Sequence, residues 1–230
     1  FEPPISAHTS ATTGAIPYTN PSSGTLHIVR ADVVPGAVST LLLYDRLFAV
    51  AKTMNSTATE AVTGTLTRYS GTTANAEGSS EGNFLFMECG TVLPATAHNW
   101  TTCTYTDQSG NTGATLPSVT GNASNIVNRL DMPVGSWFAP LASGDTGISA
   151  LTQMQCSALV ATGAIDFVIG HPLAFIPMYV ANMLTVYSGI NDAFSLERIF
   201  DNACLALLEI NAPATGANTY AGAITAVNAA

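Results

Sequence analysis

From Gly144 to Met178 the chain reads Gly-Asp-Thr-Gly-Ile-Ser-Ala-Leu-Thr-Gln-Met-Gln-Cys-Ser-Ala-Leu-Val-Ala-Thr-Gly-Ala-Ile-Asp-Phe-Val-Ile-Gly-His-Pro-Leu-Ala-Phe-Ile-Pro-Met. Ile148, Ala150, Gln153 and Met154 mix with polar neighbours at a rough period of two, and Ile165, Phe167 and Ile169 alternate with Asp166, Val168 and Gly170. This is strand periodicity. With Ala161-Thr162-Gly163-Ala164 as a turn, the stretch predicts a hairpin with one wet face. Proline cannot donate to a ladder, so Pro172 and Pro177 place the segment between them at a sheet edge or exit.

Composition sets the frame for that reading. Only 9% of the 230 residues are charged and 47% are hydrophobic, against about 25–35% charged residues on an ordinary soluble surface. A neutral surface of this kind predicts that much of it is covered by partner subunits. The net charge of −9, with Lys52 and five arginines as the whole basic complement, excludes a nucleic-acid surface built on clustered Lys and Arg. Apolar runs such as Leu41-Leu42-Leu43 are far shorter than the roughly 20 residues of a membrane span. Phe1 to Ser6 carries no basic segment followed by an apolar one, so no secretory signal is read there. Neither nucleic acid nor membrane is an expected partner.

Cys89, Cys103, Cys156 and Cys204 are widely spaced and lie in apolar, strand-like contexts. They read as buried thiols rather than zinc ligands or disulfides.

Residues 1–38 are rich in Pro, Ser, Thr and Gly and read as an extended arm, with Thr25 to Arg30 a first strand inside it. Residues 39–210 read as one β domain, and residues 211–230 as a second arm. Ser39 to Val50 fits a strand or a short helix by its apolar density, and strand is the reading taken. Ser70 to Gly82 reads as a mobile surface loop. Asn83 to Gly90 and His98 to Tyr105 read as strands, and Thr106 to Asn111 as a hairpin turn returning through Thr112 to Leu116. Ile126 to Met132 and Ser136 to Leu141 read as short strands. Tyr179 to Ser195 is apolar for a connection, which predicts a subunit contact there. Many short strands at this spacing imply a sandwich or barrel.

Motifs of catalysis are sparse. Gly78-Ser79-Ser80-Glu81-Gly82 matches the G-x-S-x-G nucleophile pattern, but that pattern needs a strand before it and a helix after, and both flanks here are low-complexity loop. His8, His27, His98 and His171 are scattered, and the fifteen acids show no metal-ligand or phosphate-loop spacing. No catalytic residue, cofactor site or metal site is assigned, and the chain is read as a non-enzyme. Asp45-Arg46 and Arg198 with Asp201 sit in apolar runs and are expected to form cross-strand ion pairs, since a lone buried charge costs several kcal/mol.

Four segments, Leu41 to Leu47, Thr104 to Gly113, Leu141 to Ser149 and Leu196 to Leu205, together resemble a group of tailed-bacteriophage virion proteins and occur in the same order. The resemblance covers roughly Ser39 to Ile210. It implies an all-β jelly-roll sandwich with extended N- and C-terminal arms, assembling as a homotrimer. It implies a cement or decoration role on the capsid exterior of the virion, after assembly in the host cytoplasm, with the major capsid protein as partner. The residues expected at the capsid are Ile5, Ile16, Tyr18, Leu26 and Ile28, and those at the trimer contact are Tyr179, Met183 and Tyr187. A tail-fibre or receptor-binding jelly roll is the alternative, with Trp100 or Trp137 as a platform for host glycans. A secreted esterase or glycosidase would need activity dependent on Ser80 or a carboxylate.

Overall fold

The computed structural model describes residues 6–133, 135–160, 163–192, 196–210 and 218–229. The protein is all-β, with 46% of residues in strands and antiparallel sheets packed as a β-sandwich. The strands are β1 (Ser6–Ala7), β2 (Thr25–Pro35), β3 (Ser39–Thr53), β4 (Glu60–Ala61), β5 (Phe84–Cys89), β6 (Asn99–Trp100), β7 (Thr104–Asp107), β8 (Thr112–Thr115), β9 (Val119–Thr120), β10 (Ile148–Met154), β11 (Ala164–Met178), β12 (Thr185–Ser188), β13 (Arg198–Ile199), β14 (Leu205–Ile210) and β15 (Tyr220–Ala229). A single helical turn, α1 (Gly189–Asp192), follows β12. No helix among the described residues is long and apolar enough to cross a membrane.

The chain forms two compact units, residues 1–8 with 46–171 and residues 9–45 with 172–230. The division falls inside β3 and inside β11, each fifteen residues long. In the first unit β5 lies antiparallel to β11 from Ile165↔Cys89 to Gly170↔Phe84, and β1 lies against β3. A second sheet runs β4-β10-β7-β8, and β6 pairs β9. Phe86, Trp100, Tyr105, Ile148 and Phe167 are fully buried between these layers. Trp100 meets Phe167 edge-on with ring centroids 4.9 Å apart, the geometry that aromatic quadrupoles favour.

The second unit is built around β2. One side of β2 pairs with β12 (Thr185↔Val33 to Ser188↔Arg30) and β13. Its other side pairs with β15 from Tyr220↔Pro35 to Ala229↔Thr25. β14 lies along the first part of β3, from Leu205↔Asp45 to Ile210↔Thr40. Leu41, Leu42, Leu43 and Tyr44 are all buried, because β3 is covered on both faces; such strands read as continuous apolar runs rather than alternating ones.

Several expectations are corrected. β10 and β11 are not a hairpin. β10 pairs with β4 and β7 while β11 lies between β3 and β5, and the connection between them carries Cys156 into a bridge with Trp100. Residues 126–132 and 136–141 form no strands apart from an isolated bridge between Glu88 and Leu130. The region still bonds to β5 through its backbone, Asn128 N–H to the Cys89 carbonyl, Cys89 N–H to the Arg129 carbonyl and Asp131 N–H to the Met87 carbonyl, while Asn122 Nδ2 donates to the Leu130 and Met132 carbonyls and Asn125 Nδ2 to Leu130. The run from His98 to Tyr105 is broken between β6 and β7, which belong to different sheets.

The segments read as arms contain the longest ladder of the second unit, β2 with β15. Residues 70–82 are a built loop, with Gly71 bridged to Ser79 and Ser80 fully buried. Asp45 and Arg46, being adjacent in a strand, point to opposite faces. Arg46 pairs with Glu88 at 2.7 Å, while Asp45 accepts the Cys204 N–H at 2.9 Å. Arg198 lies over the Phe200 ring at 4.2 Å.

Candidate functional site

The outer half of β11 departs from the sheet habit of its inner half. The β5 ladder stops at Gly170, and Pro172 and Pro177 follow, as expected for residues that cannot donate to a neighbour. Leu173, Ala174, Ile176 and Met178 are buried, but Phe175 is 47% exposed. Pro172 to Pro177, with Thr185, Tyr187 and Glu197, line an open groove of about 590 Å³ whose walls are mainly apolar. Glu197 is its ionisable group. Burial pushes its carboxyl above the usual range, and the nearby positive charge of His27 only partly offsets this.

Beside the groove the chain turns through residues 179–184. Tyr179 is 77% exposed and Met183 59%, and Val180, Leu184, Val186 and Ile190 are also exposed. This turn is held in place: the Asn182 N–H donates to the Pro35 carbonyl at 2.7 Å, and Asn182 takes a positive φ of 59°. The apolar side chains are therefore presented outward by a fixed backbone. Singly scattered exposed apolar residues are ordinary, but a contiguous run of this kind marks an interaction surface.

Of the residues expected at the trimer contact, Tyr179 and Met183 lie on this turn, and Tyr187 is half-buried on the groove wall. Those expected at the capsid are placed differently. Ile5 lies outside the described residues. Ile28 is buried in the core of the second unit and Leu26 pairs with Ile199, so Ile28 has no side chain to offer a partner and Leu26 is half-covered. Ile16 donates its N–H to the Leu205 carbonyl. The Tyr18 hydroxyl donates to the Phe200 carbonyl at 2.8 Å and accepts the Ala203 N–H at 2.6 Å. Residues 9–20 are thus tied to the β13–β14 connection rather than extended as a free arm. Trp100 is buried, and its indole N–H donates to Asp131 at 2.9 Å, so it is no platform for a sugar; Trp137 is half-buried.

The polar clusters of the first unit are closed. Asp131 accepts from His98 Nε2, Trp100 Nε1 and the Asn122 N–H at 2.9, 2.9 and 2.7 Å, and the His98 and Asp131 side chains have no exposure. His98 Nδ1 faces the Thr96 carbonyl at 3.1 Å. Burial alone would lower the His98 pKa, but the two hydrogen bonds and the Asp131 charge outweigh it, and the net shift is upward. The buried His98–Asp131 hydrogen bond thus ties the residue 119–132 region to β6. His171 stacks on Tyr69 with centroids 3.7 Å apart and donates to Asn83 Oδ1, and burial lowers its pKa to about 4. The Tyr105 hydroxyl lies 2.5 Å from Asp145. Burial and that bond raise its pKa to about 12.

Ser80 Oγ donates to the Gly71 and Gln108 carbonyls, which places the G-x-S-x-G serine inside a loop-stapling network. All four cysteines are buried free thiols. Among the described residues no group of three or more His, Cys, Asp or Glu is arranged to hold a metal. Comparison with known protein families, curated proteins and solved structures finds no match for this chain.

The groove and Glu197 were not legible in sequence. Tyr187 and Glu197 are ten positions apart, and only the pairing of β12 and β13 along the same side of β2 brings them together. The pair of prolines that brackets Leu173 to Ile176, and Tyr187 as an expected subunit contact, are the sequence signals that pointed to this place.

Proposed function

We propose that this chain is a structural assembly protein, a homotrimeric decoration protein on the outside of a bacteriophage capsid. The observation that carries the reading is the set of exposed apolar residues Phe175, Tyr179, Val180, Met183 and Leu184 along one stretch of sequence in a chain with very few charges. Such a surface is costly in water and is accounted for by a partner that covers it. The virion setting comes from the ordered resemblance of four segments to phage virion proteins, and the exposed surface is compatible with it.

The role is passive. Trimers placed over a junction between shell subunits add buried area across a boundary that tends to open, and many copies multiply a modest contact. The Tyr179–Leu184 turn and its groove serve the contact between copies in this proposal. Two measurements test it together. Light scattering of the purified chain gives a mass that is a multiple of the trimer's, which the Tyr179→Asp/Met183→Asp double variant divides by three. Quantitative mass spectrometry of purified virions gives a copy number comparable to that of the major shell protein. A few copies per particle moves the chain to the tail, and absence from virions overturns the structural reading.

A further inference from the structure

β15 is a ten-residue strand, Tyr-Ala-Gly-Ala-Ile-Thr-Ala-Val-Asn-Ala, without a charge or a proline. Among the described residues its only strand neighbour is β2. Long edge strands in folded proteins are ordinarily blunted by lysine, proline or a bulge, because a free row of N–H and C=O groups recruits another strand. The register shift in this ladder falls between Thr225 and Ala226 and skips Val29, so the extra residue belongs to β2 and β15 itself is uninterrupted.

Side-chain exposure agrees. On the outer face Ala221, Ala223, Thr225, Val227 and Ala229 are all exposed. On the other face, opposite the buried Val33, Ala31 and Ile28 of β2, Ile224 and Ala226 remain half-exposed. A strand opposite such neighbours yet still half-bare overhangs its own core.

We propose that the free edge of β15 is a docking site for a second copy of this chain, added as β15 against β15 in antiparallel fashion about a two-fold axis. The like-charged copies carry −9 each, and a ten-residue uncharged edge is where they approach without repulsion. A two-fold axis normal to the sheet keeps like faces together, so opposing residues have numbers of the same parity. Centring on Thr225 sets Thr225 opposite its own copy, with Ala223 opposite Val227 and Ala221 opposite Ala229. On the other face Ile224 meets Ala226, and Gly222 leaves room for Asn228. Large residues thus meet small ones, and the two threonine hydroxyls face each other, a favourable cross-strand pair. Centring on Ile224 would instead set Ile against Ile and draw in Tyr220, whose hydroxyl is held by Ser39 and Asn218. The added strand extends the sheet of the second unit into one shared by two copies.

This contact is separate from the trimer surface and does not depend on the capsid reading, because it is tested on the isolated 230-residue chain. The Thr225→Cys variant, treated with diamide, gives a reducible covalent dimer as the main product, whereas Ala221→Cys gives about tenfold less, since paired cysteines must lie within a few ångströms. The native thiols are buried and do not compete. Thr225→Lys and Thr225→Glu, at an exposed site that tolerates either, each weaken self-association about tenfold by setting like charges opposite each other. Mixing the two variants restores it. The proposal is overturned if Thr225→Lys leaves the sedimentation profile unchanged across concentration, or if Ala221→Cys cross-links as readily as Thr225→Cys. Variants at Tyr179 and Met183 leave the Thr225→Cys cross-link intact, so failure of the trimer surface and failure of the β15 edge are told apart.

Discussion

Two halves of one strand behave as different molecules. Ala164 to Gly170 of β11 is paired with β5, and Phe167 there is wholly buried against Trp100. Pro172 to Met178 continues the same strand, yet its β5 partner has ended, prolines punctuate it, and Phe175 stands half in solvent over an apolar groove. The backbone is extended throughout. What differs is the β5 side: β3 is also a strand neighbour of β11, but among the described residues no strand continues the β5 ladder beyond Gly170.

The sharpest way to break this contrast is to make the same change in both halves. Phe167→Ala should lower stability by about 3–5 kcal/mol, the usual cost of removing a buried aromatic side chain, read by urea denaturation. Phe175→Ala should change stability of the isolated chain by no more than about 1 kcal/mol while weakening self-association. Equal losses at the two positions would mean that the outer half is as self-sufficient as the inner.

Asp131→Ala should cost nearly as much as Phe167→Ala, about 3–5 kcal/mol, because three N–H donors, those of His98, Trp100 and Asn122, lose their acceptor. A small loss would show that the first unit is held by packing alone.

The titrating histidines sharpen the same point with smaller effects. His171 and His8 have folded pKa values lowered to about 4, both chiefly by burial, with the Arg46 and Arg68 charges adding to the shift at His8. Their contribution is complete above the ordinary value of 6.5 and is lost as pH falls from there toward 4. The His98 value is raised, so its contribution is complete below 6.5 and is lost as pH rises through the raised value. Thermal midpoints measured from pH 7 to pH 4 should therefore fall, and His171→Gln should flatten that slope. Thiol titration is the mildest test. All four cysteines should resist reagent in the folded chain, burial having raised Cys103 to about 11, and react once it unfolds.

Legibility in the sequence followed the same divide. β3, β5, the β7–β8 hairpin and both strands of the Gly144 to Met178 stretch were readable because their residues alternate or run apolar, and those patterns report local burial. Which strand pairs with which was not readable: β10 and β11 are neighbours in sequence and belong to different sheets. Residues 126–132 misled because their apolar side chains suggest a regular strand, whereas only Asn128 to Asp131 bond to the β5 backbone and Asn122 and Asn125 take the Leu130 and Met132 carbonyls, a competition that composition does not reveal. β2 and β15 read as arms because strand partners nearly two hundred residues apart leave no local pattern. At the candidate surface, Tyr179 and Met183 stood out as apolar residues in a connection. Glu197 and the free edge of β15 required the fold.

Four of the protein's six cations are engaged at home. Arg46 meets Glu88, Arg30 meets Asp32, Lys52 meets Glu60, and Arg68 is bonded to the His8 carbonyl. With positive charge largely spent internally and a net charge of −9, copies of the chain repel one another at long range, so their association should fall below the neutral rate of about 10⁵–10⁶ M⁻¹s⁻¹ at low salt and rise toward it as salt screens the charge. Contacts made through apolar surface also loosen on cooling. An assembly built from this chain should therefore form more readily as salt is added and be most easily shed in the cold.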